Sequence, residues 1–203
     1  VASAVAELME GERPEHFGDI HRTYEDGERM VTTPPYTAFL KIAEGCSNGC
    51  AFCIIPKLRG RYRSRSMEAL LEEARGLAAS GVKELIVIAQ DITRYGLDRK
   101  DGSTLAKLLD RLCELDFHWI RLHYLYPEAV TDELIETIAR QPKILHYLDI
   151  PIQHCNDAIL KAMRRRNTRA EIEALFAKLR KAMPDVVLRT SLICGLPGEG
   201  EAE

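Results

Sequence analysis

From residue 37 to the end, short apolar runs alternate with longer amphipathic ones, and no other feature of the 203-residue chain restricts its fold so tightly. The apolar runs fall at residues 38–42, 85–88, 119–124, 147–152 and 186–193, each of a length that suits a buried strand. Between them apolar residues return every third or fourth position, as in Leu70, Leu71, Ala74, Leu77 and Ala78, which predicts helices. Their starts are marked too. Ser66 precedes the first, with Glu68 in its first turn; Ser103 precedes Leu105, Leu108, Leu109 and Leu112; and Thr131 opens a third that reaches Ala139. Asn156 precedes Ile159, Leu160 and Met163, and Thr168 with Glu171 makes a capping box for a last helix stopped by Pro184. Strands joined by segments long enough to cross over pair in parallel with right-handed connections. The predicted fold class is therefore α/β, a sheet of five strands rolled wholly or partly into a barrel. Only ten residues follow the fifth strand, which reads as a truncation after about that strand. An exposed edge and apolar patch are expected at residues 186–196.

The first 33 residues have a different character. Val5, Leu8 and Met9 make a short apolar pattern that stops at Gly11, and the polar stretch through Thr33 has no period, so residues 1–33 are expected to be a connector and 34–203 the core domain. Acid and base nearly balance, with 28 Lys+Arg against 31 Asp+Glu and a net charge of -3, which argues against a generic polyanion binder. No apolar run approaches the roughly 18 residues of a bilayer span. Acidic residues stand where a signal peptide would be basic, so a cytoplasmic protein without membrane contact is expected.

Six cysteines, three of them between positions 46 and 53, fit a ligand cluster in a reducing compartment better than a disulfide framework. Cys113, Cys155 and Cys194 stand singly in or beside apolar segments and are expected to be buried structural thiols. Cys46, Cys50 and Cys53 are different. Their spacing of three and two intervening residues brings three thiolates onto one loop after the first strand, which suits an iron-sulfur cluster with one iron left without a protein ligand. Structural zinc would take a fourth Cys or His, and His21 and His118 are the nearest histidines in sequence. A non-catalytic module with a structural metal, or three bare thiols, stands as the alternative reading.

An open iron can chelate the amino and carboxylate groups of S-adenosylmethionine (SAM), and here the pattern resembles the radical SAM superfamily. The resemblance implies a partial (β/α) barrel, a 4Fe-4S cluster on the three cysteines and SAM as cofactor. Three stretches sharpen it: residues 52–65, reading FCIIPKLRGRYRSR; residues 90–98, reading QDITRYGLD; and residues 149–154, reading DIPIQH. Together they are similar to the methylthiotransferase branch. Gln90 followed by Asp91 is more similar to the type that modifies an aspartate of a small-subunit ribosomal protein than to the tRNA adenosine type, which is the runner-up. The resemblance runs from about Thr33 to the end and covers the superfamily core. It implies that residues 1–33 lead from a missing N-terminal domain holding a second 4Fe-4S cluster, and that a C-terminal β-rich domain is missing too. A flavodoxin or ferredoxin type of reductant is implied, with the ribosomal protein, alone or in the ribosome, as partner. These 203 residues by themselves are expected not to complete methylthio transfer.

Position along the strands nominates the remaining site residues, because barrel sites collect at the carboxyl ends of strands. Gln90 and Asp91 follow the second strand, His123 and Tyr124 the third, Gln153 and His154 the fourth, and Ser191 lies on the fifth with Gly195 just after it. By resemblance, Phe52 lies beside the adenine of SAM, and Gln90, Asp91, Gln153, Ser191 and Gly195 contact that cofactor. Gly195, in a segment with Cys194 and Leu196 where the family usually has Val and Phe, leaves room for main chain to approach a flat ligand. The plainer reading of each polar residue is a strand end that satisfies its own hydrogen bonds, and of Phe52 a loop-packing ring. Arg59, Arg61, His123 and His154 are the substrate-side candidates. Arg59, Arg61, Arg63 and Arg65 alternate beside the proposed mouth and could hold an anion such as ribosomal RNA, while Arg164, Arg165 and Arg166 read as a solvated face. Direct nucleic-acid binding is left open.

Overall fold

A computed structural model of the chain describes residues 2–20 and 30–203; the expected connector therefore lies partly outside the described residues. The main sheet has five strands, all parallel: β1 (Thr37–Lys41), β4 (Glu84–Ile88), β5 (Trp119–Leu122), β6 (Ile144–Asp149) and β7 (Val187–Arg189), in that spatial order. Each new strand lies beside the last, with no reversal of direction along the sheet. Unreversed right-handed crossovers put every connecting helix on the same face, and such a sheet curls toward a barrel. Helices α3 (Met67–Ala79), α4 (Leu105–Cys113), α5 (Asp132–Arg140) and α7 (Arg169–Ala182) accordingly touch in succession along that face. The barrel is partial, since β1 and β7 do not pair with each other.

The sequence pattern explains which faces are covered. Leu85, Ile86 and Val87 of β4 are all buried, as a central parallel strand requires. On α4 the residues Leu108, Leu109 and Leu112 are fully buried against the sheet, each contributing about 1.5–3 kcal/mol relative to exposure. The capping expected at Ser66, Thr131, Asn156 and Thr168 is present, with the reciprocal Thr168–Glu171 box complete. The second main helix is capped by Thr104, one residue beyond the expected Ser103, because the Thr104 hydroxyl is the one that accepts from Lys107 N–H.

Three strands end earlier than their apolar runs. The run at 119–124 stops at Leu122, and that at 147–152 starts at Ile144 and stops at Asp149. The run at 186–193 is a strand only over Val187–Arg189, with an isolated bridge from Gln153 to Leu192 beyond it. Backbone chemistry explains the first two. Tyr124 and Gln153 both adopt φ 70, outside any strand, and Pro151 has no N–H to offer a ladder. The expected exposed edge at residues 186–196 is present, with Val187 of β7 at 55% and Leu192 beyond it at 60%.

Two features were absent from the pattern. A small antiparallel hairpin, β2 (Ala43–Glu44) with β3 (Arg63–Ser64), brackets the cysteine loop, and the loop itself contains a short helix, α2 (Ile55–Arg59). At the other end of the chain, α1 (Ala2–Met9) buries none of its residues. A further short helix, α6 (Asp157–Ala162), precedes the triple arginine. Among the described residues no helix is long and apolar enough to cross a membrane.

Candidate active site

The cysteine loop leaves the carboxyl end of β1 through β2 and returns through β3, so the parallel sheet delivers it beside the ends of β4, β5 and β6. Five contacts fix it there. Cys46 N donates to Gly60 O at 3.2 Å, and Tyr62 N donates to Ser47 Oγ at 3.1 Å. Asn48 Nδ2 donates to Asp91 Oδ2 at 2.9 Å, Ala51 N donates to Met163 O at 3.0 Å, and the Cys50 sulfur meets the Tyr126 hydroxyl. Gly45, immediately before the first cysteine, has φ 74, and a Cβ there would stand 2.3 Å from Arg61 O, so only glycine lets the loop lie this close to the hairpin.

The Cys46 thiol and Tyr124 are both affected by the charges gathered at the loop. Burial pushes the Cys46 thiol up against the lowering effect of the Asn48 backbone N–H, and the nearby charges of Asp91, Cys50 and Cys53 push it the same way as burial. Tyr124 is likewise pushed up, first by burial and then by the three cysteines, although Arg165 opposes the shift. Among the described residues no three His, Cys, Asp or Glu side chains converge on the position of a single ion. A multi-iron cluster makes no such demand, since each thiolate binds its own iron. A cavity of about 410 Å³ opens beside Cys50 and Cys53, lined also by Gly49, Phe52, Lys57 and Arg164. Buried polar atoms without partners in the chain stand nearby: Asn48 Oδ1, Tyr62 Oη and Gln90 Oε1. Soft thiolates on one loop, space at their side and unspent hydrogen-bonding groups together fit an iron-sulfur cluster and a polar cofactor.

The other nominated residues divide by how much of their chemistry the fold already uses. Gln90, at the end of β4, keeps its buried carbonyl oxygen free. Asp91 is fully buried and spent: it accepts from Asn48, from Thr93 N at 3.1 Å and from the Thr93 hydroxyl, and Arg94 Nε lies 3.2 Å away. Gln153 is buried, and its backbone binds Ser191 O and Ile193 N. His154 uses both ring nitrogens inside the chain: Nδ1 accepts from Asn156 N at 2.9 Å, which leaves the proton on Nε2, facing Glu199 at 3.3 Å. Glu199 in turn accepts from Gly195 N and Leu196 N, and its carboxyl is held below the ordinary range, chiefly by the Leu196 N–H. His123 is half-buried after β5, and Phe52 is 41% exposed on the loop. Arg59 and Arg61 are exposed, Arg59 facing Glu44 at 3.8 Å. The expected solvated face at 164–166 is only partly that: Arg164 and Arg166 are exposed but Arg165 is buried. Cys113 is buried, as expected, and burial pushes its thiol up to about 11, whereas Cys155 and Cys194 are exposed rather than buried. Both lie in the irregular segments beyond β6 and β7, where an apolar neighbourhood in sequence is not covered in space.

The pattern that defines the Radical SAM superfamily matches residues 40–203. The chain belongs to the radical SAM superfamily. The superfamily uses SAM together with a 4Fe-4S cluster, in keeping with the three-cysteine loop. Curated relatives called ribosomal protein uS12 methylthiotransferase RimO match closely. The one from Caldanaerobacter subterraneus subsp. tengcongensis is 50% identical over 205 residues, taking in 100% of this chain and 47% of that protein. The one from Pelobacter propionicus is 57% identical over 172 residues, 84% of this chain and 38% of that protein. The chain thus spans about half the length of the curated relatives it matches. Among solved structures, the radical SAM methyltransferase TsrM from Kitasatospora setae, with tryptophan and a SAM analog bound, superposes with a TM-score of 0.66. It is 17% identical, over 85% of this chain and 35% of that one, a likeness of fold alone.

Asn48, Tyr126 and Arg165 were not among the residues nominated from sequence. Asn48 had a signal, lying between Cys46 and Cys50. Tyr126 stands two residues past the strand end that drew attention to Tyr124, and Arg165 was masked by the exposed arginines on either side.

Proposed function

We propose that this chain is the radical SAM core of a methylthiotransferase that adds a methylthio group to an aspartate of ribosomal protein uS12. The observation that carries the reading is identity of about half, along the whole chain, to relatives of that name. Residues 1–33 then lead from a domain holding a second cluster, residues 34–203 form the incomplete core, and the protein works in the cytoplasm with a small electron-transfer protein as reductant. Cys46, Cys50 and Cys53 are the cluster ligands. When bound, the reduced cluster supplies the electron that cleaves SAM and opens radical chemistry at an unactivated carbon.

The chain's own residues position and enclose. Gln90 Oε1, buried and unpaired, accepts a hydrogen bond from SAM; Gln153 and Ser191, joined through the backbone, and Gly195 approach the same ligand, with Phe52 against its adenine. Asp91 acts through Asn48, holding the loop in place rather than touching the cofactor. His154 acts through Glu199, which gathers the amides of Gly195 and Leu196 into a fixed turn. Arg59, Arg61 and His123 face the substrate side.

Anaerobic reconstitution with iron and sulfide tests the ligands: about four irons bind per loop, as a 4Fe-4S cluster requires, and SAM perturbs the spectrum. Cys46→Ala, Cys50→Ala and Cys53→Ala each lose the iron. Full-length protein incubated with uS12 and with tRNA tests the substrate, since a methylthio group found on tRNA rather than on uS12 would overturn the assignment.

A further inference from the structure

Arg165 is only 7% exposed, yet no ion pair to a carboxylate accompanies it among the described residues. Its Nη2 donates to Pro151 O at 3.2 Å, its Nε is buried without a partner, and the guanidinium carbon lies 3.8 Å from the centroid of the Tyr126 ring. An isolated buried charge is costly, so a fold that keeps one has an anion for it to meet. The backbone is shaped to bury it. After α6, Arg164 adopts φ 57, Arg164 N donates to Lys161 O at 3.0 Å and Arg165 N donates to Leu160 O at 2.8 Å, the double closure that turns a chain sharply off a helix end. Such a closure ordinarily uses glycine at the left-handed position. Here an arginine occupies it, and the following residue is driven inward.

The hydroxyl end of Tyr126 shows where the charge is felt. Tyr126 is buried at 4% exposure, and its hydroxyl meets Cys50 Sγ at 2.5 Å. A tyrosine phenol is protonated at neutral pH, so beside a metal-bound thiolate, which can only accept, the hydroxyl is the donor. Three thiolates outweigh the positive charge of an iron-sulfide core, and reduction adds another electron. A cation and a hydrogen bond directed at one of its sulfurs therefore stabilise the reduced form more than the oxidised form. A cation held over the ring face is itself attracted by the ring and draws on its electron density, which strengthens the hydroxyl as a donor.

We propose that Arg165 and Tyr126 form a polar relay onto the Cys50 sulfur that raises the reduction potential of the cluster, with Arg165 as the buried counter-charge. The inference rests on Cys50 being a cluster ligand. Both residues are positioning residues that act through Cys50.

The test is an EPR-monitored redox titration of the SAM-responsive cluster in the anaerobically reconstituted protein, with iron content measured alongside. Tyr126→Phe removes one oxygen and keeps the ring. Arg165→Met keeps the length and removes the charge. Each single variant is expected to retain its iron and to show a midpoint potential shifted negative. The double variant is expected to shift by less than the sum, because the two residues act in series. Unchanged potentials in both single variants would overturn the relay, as would a fully additive double variant. Loss of iron from both variants would also overturn it, leaving the pair as a structural strut. Failure of the ligand assignment shows separately, in Cys50→Ala: if that variant keeps the full wild-type iron and potential, Cys50 is not a ligand, whatever the relay variants do.

Discussion

Gly45→Ala measures how firmly the cysteine loop is seated on its hairpin. At φ 74 the residue is in the left-handed region, where alanine costs about 1–2 kcal/mol. The added Cβ would stand 2.3 Å from Arg61 O, 2.7 Å from Gly60 O and 2.8 Å from the Arg61 carbonyl carbon, all backbone atoms that no side-chain rotation can move away. Restoring ordinary contact separates the two segments by about 1 Å, and that breaks the 3.2 Å hydrogen bond from Cys46 N to Gly60 O, worth about 0.5–1.5 kcal/mol. Alanine recovers about 0.4–1 kcal/mol by narrowing the unfolded ensemble. The net expectation is a loss of about 2 kcal/mol in urea unfolding and, on the proposed ligand set, iron lost faster to a chelator because Cys46 moves with the loop. A Gly45→Ala protein within about 0.5 kcal/mol of wild type and with unchanged iron retention would refute the close seating of loop on hairpin.

Gly76→Ala is the opposite case: Gly76 lies inside α3 and a Cβ there meets nothing within 4 Å, so the change should stabilise the protein by about 0.5–1 kcal/mol in the same assay. Asn48→Ala deprives the buried Asp91 carboxylate of a donor and is expected to cost about 1–3 kcal/mol and to speed iron loss, read by denaturation and by chelator challenge. Glu199→Gln tests the acid limb. The Glu199 carboxyl is held below its ordinary range by the Leu196 N–H, against desolvation, with His154 and Gly195 assisting, so its stabilising effect is complete above the unfolded pKa and disappears as pH falls through the lower folded value. The variant should therefore be less stable than wild type at pH 7, the gap closing in strongly acidic buffer; a constant gap would show that the charge of Glu199 is not what holds the turn.

Residue pattern foretold the parts of this structure that depend on burial. Leu105, Leu108, Leu109 and Leu112 point one way because a helix must bury a stripe, and Thr168 with Glu171 close a helix start because the first amides need acceptors. The cysteine loop was legible for a different reason: three thiols at such close spacing have few uses. What escaped was set by contacts between distant segments. Residues 43–44 and 63–64 pair only because the loop between them folds back, and two-residue strands carry no period to detect. Asp91 looked like a cofactor contact because of its place at a strand end, but its partner Asn48 is 43 positions away in sequence. Arg165 could not be separated from Arg164 and Arg166 until the left-handed turn at Arg164 showed which of the three points inward.

That turn belongs to a wider pattern in how the site is built. Among the described residues, the non-glycine positions with left-handed φ are Tyr124, Gln153 and Arg164. Each costs about 1 kcal/mol or more relative to glycine or to an ordinary φ. Two of them stand beside the cysteine loop, Tyr124 within reach of the charges of the three thiols and Arg164 lining the cavity beside Cys50 and Cys53, while Gln153 pairs with the backbone of Ser191 and Ile193 beyond the end of β6. Glycine would relieve the strain at each position while removing a ring, a cation or an amide. The side chains therefore have to be worth more than the strain, and the strain turns the chain sharply at the ends of β5, β6 and α6. The turn at Tyr124 ends β5 before its apolar run is exhausted and brings Tyr126 against Cys50, the turn at Arg164 directs Arg165 onto the Tyr126 ring, and Gln153 extends β6 only as an isolated bridge to Leu192. A shorter sheet than the hydrophobic pattern allows is thus what the site requires of the fold.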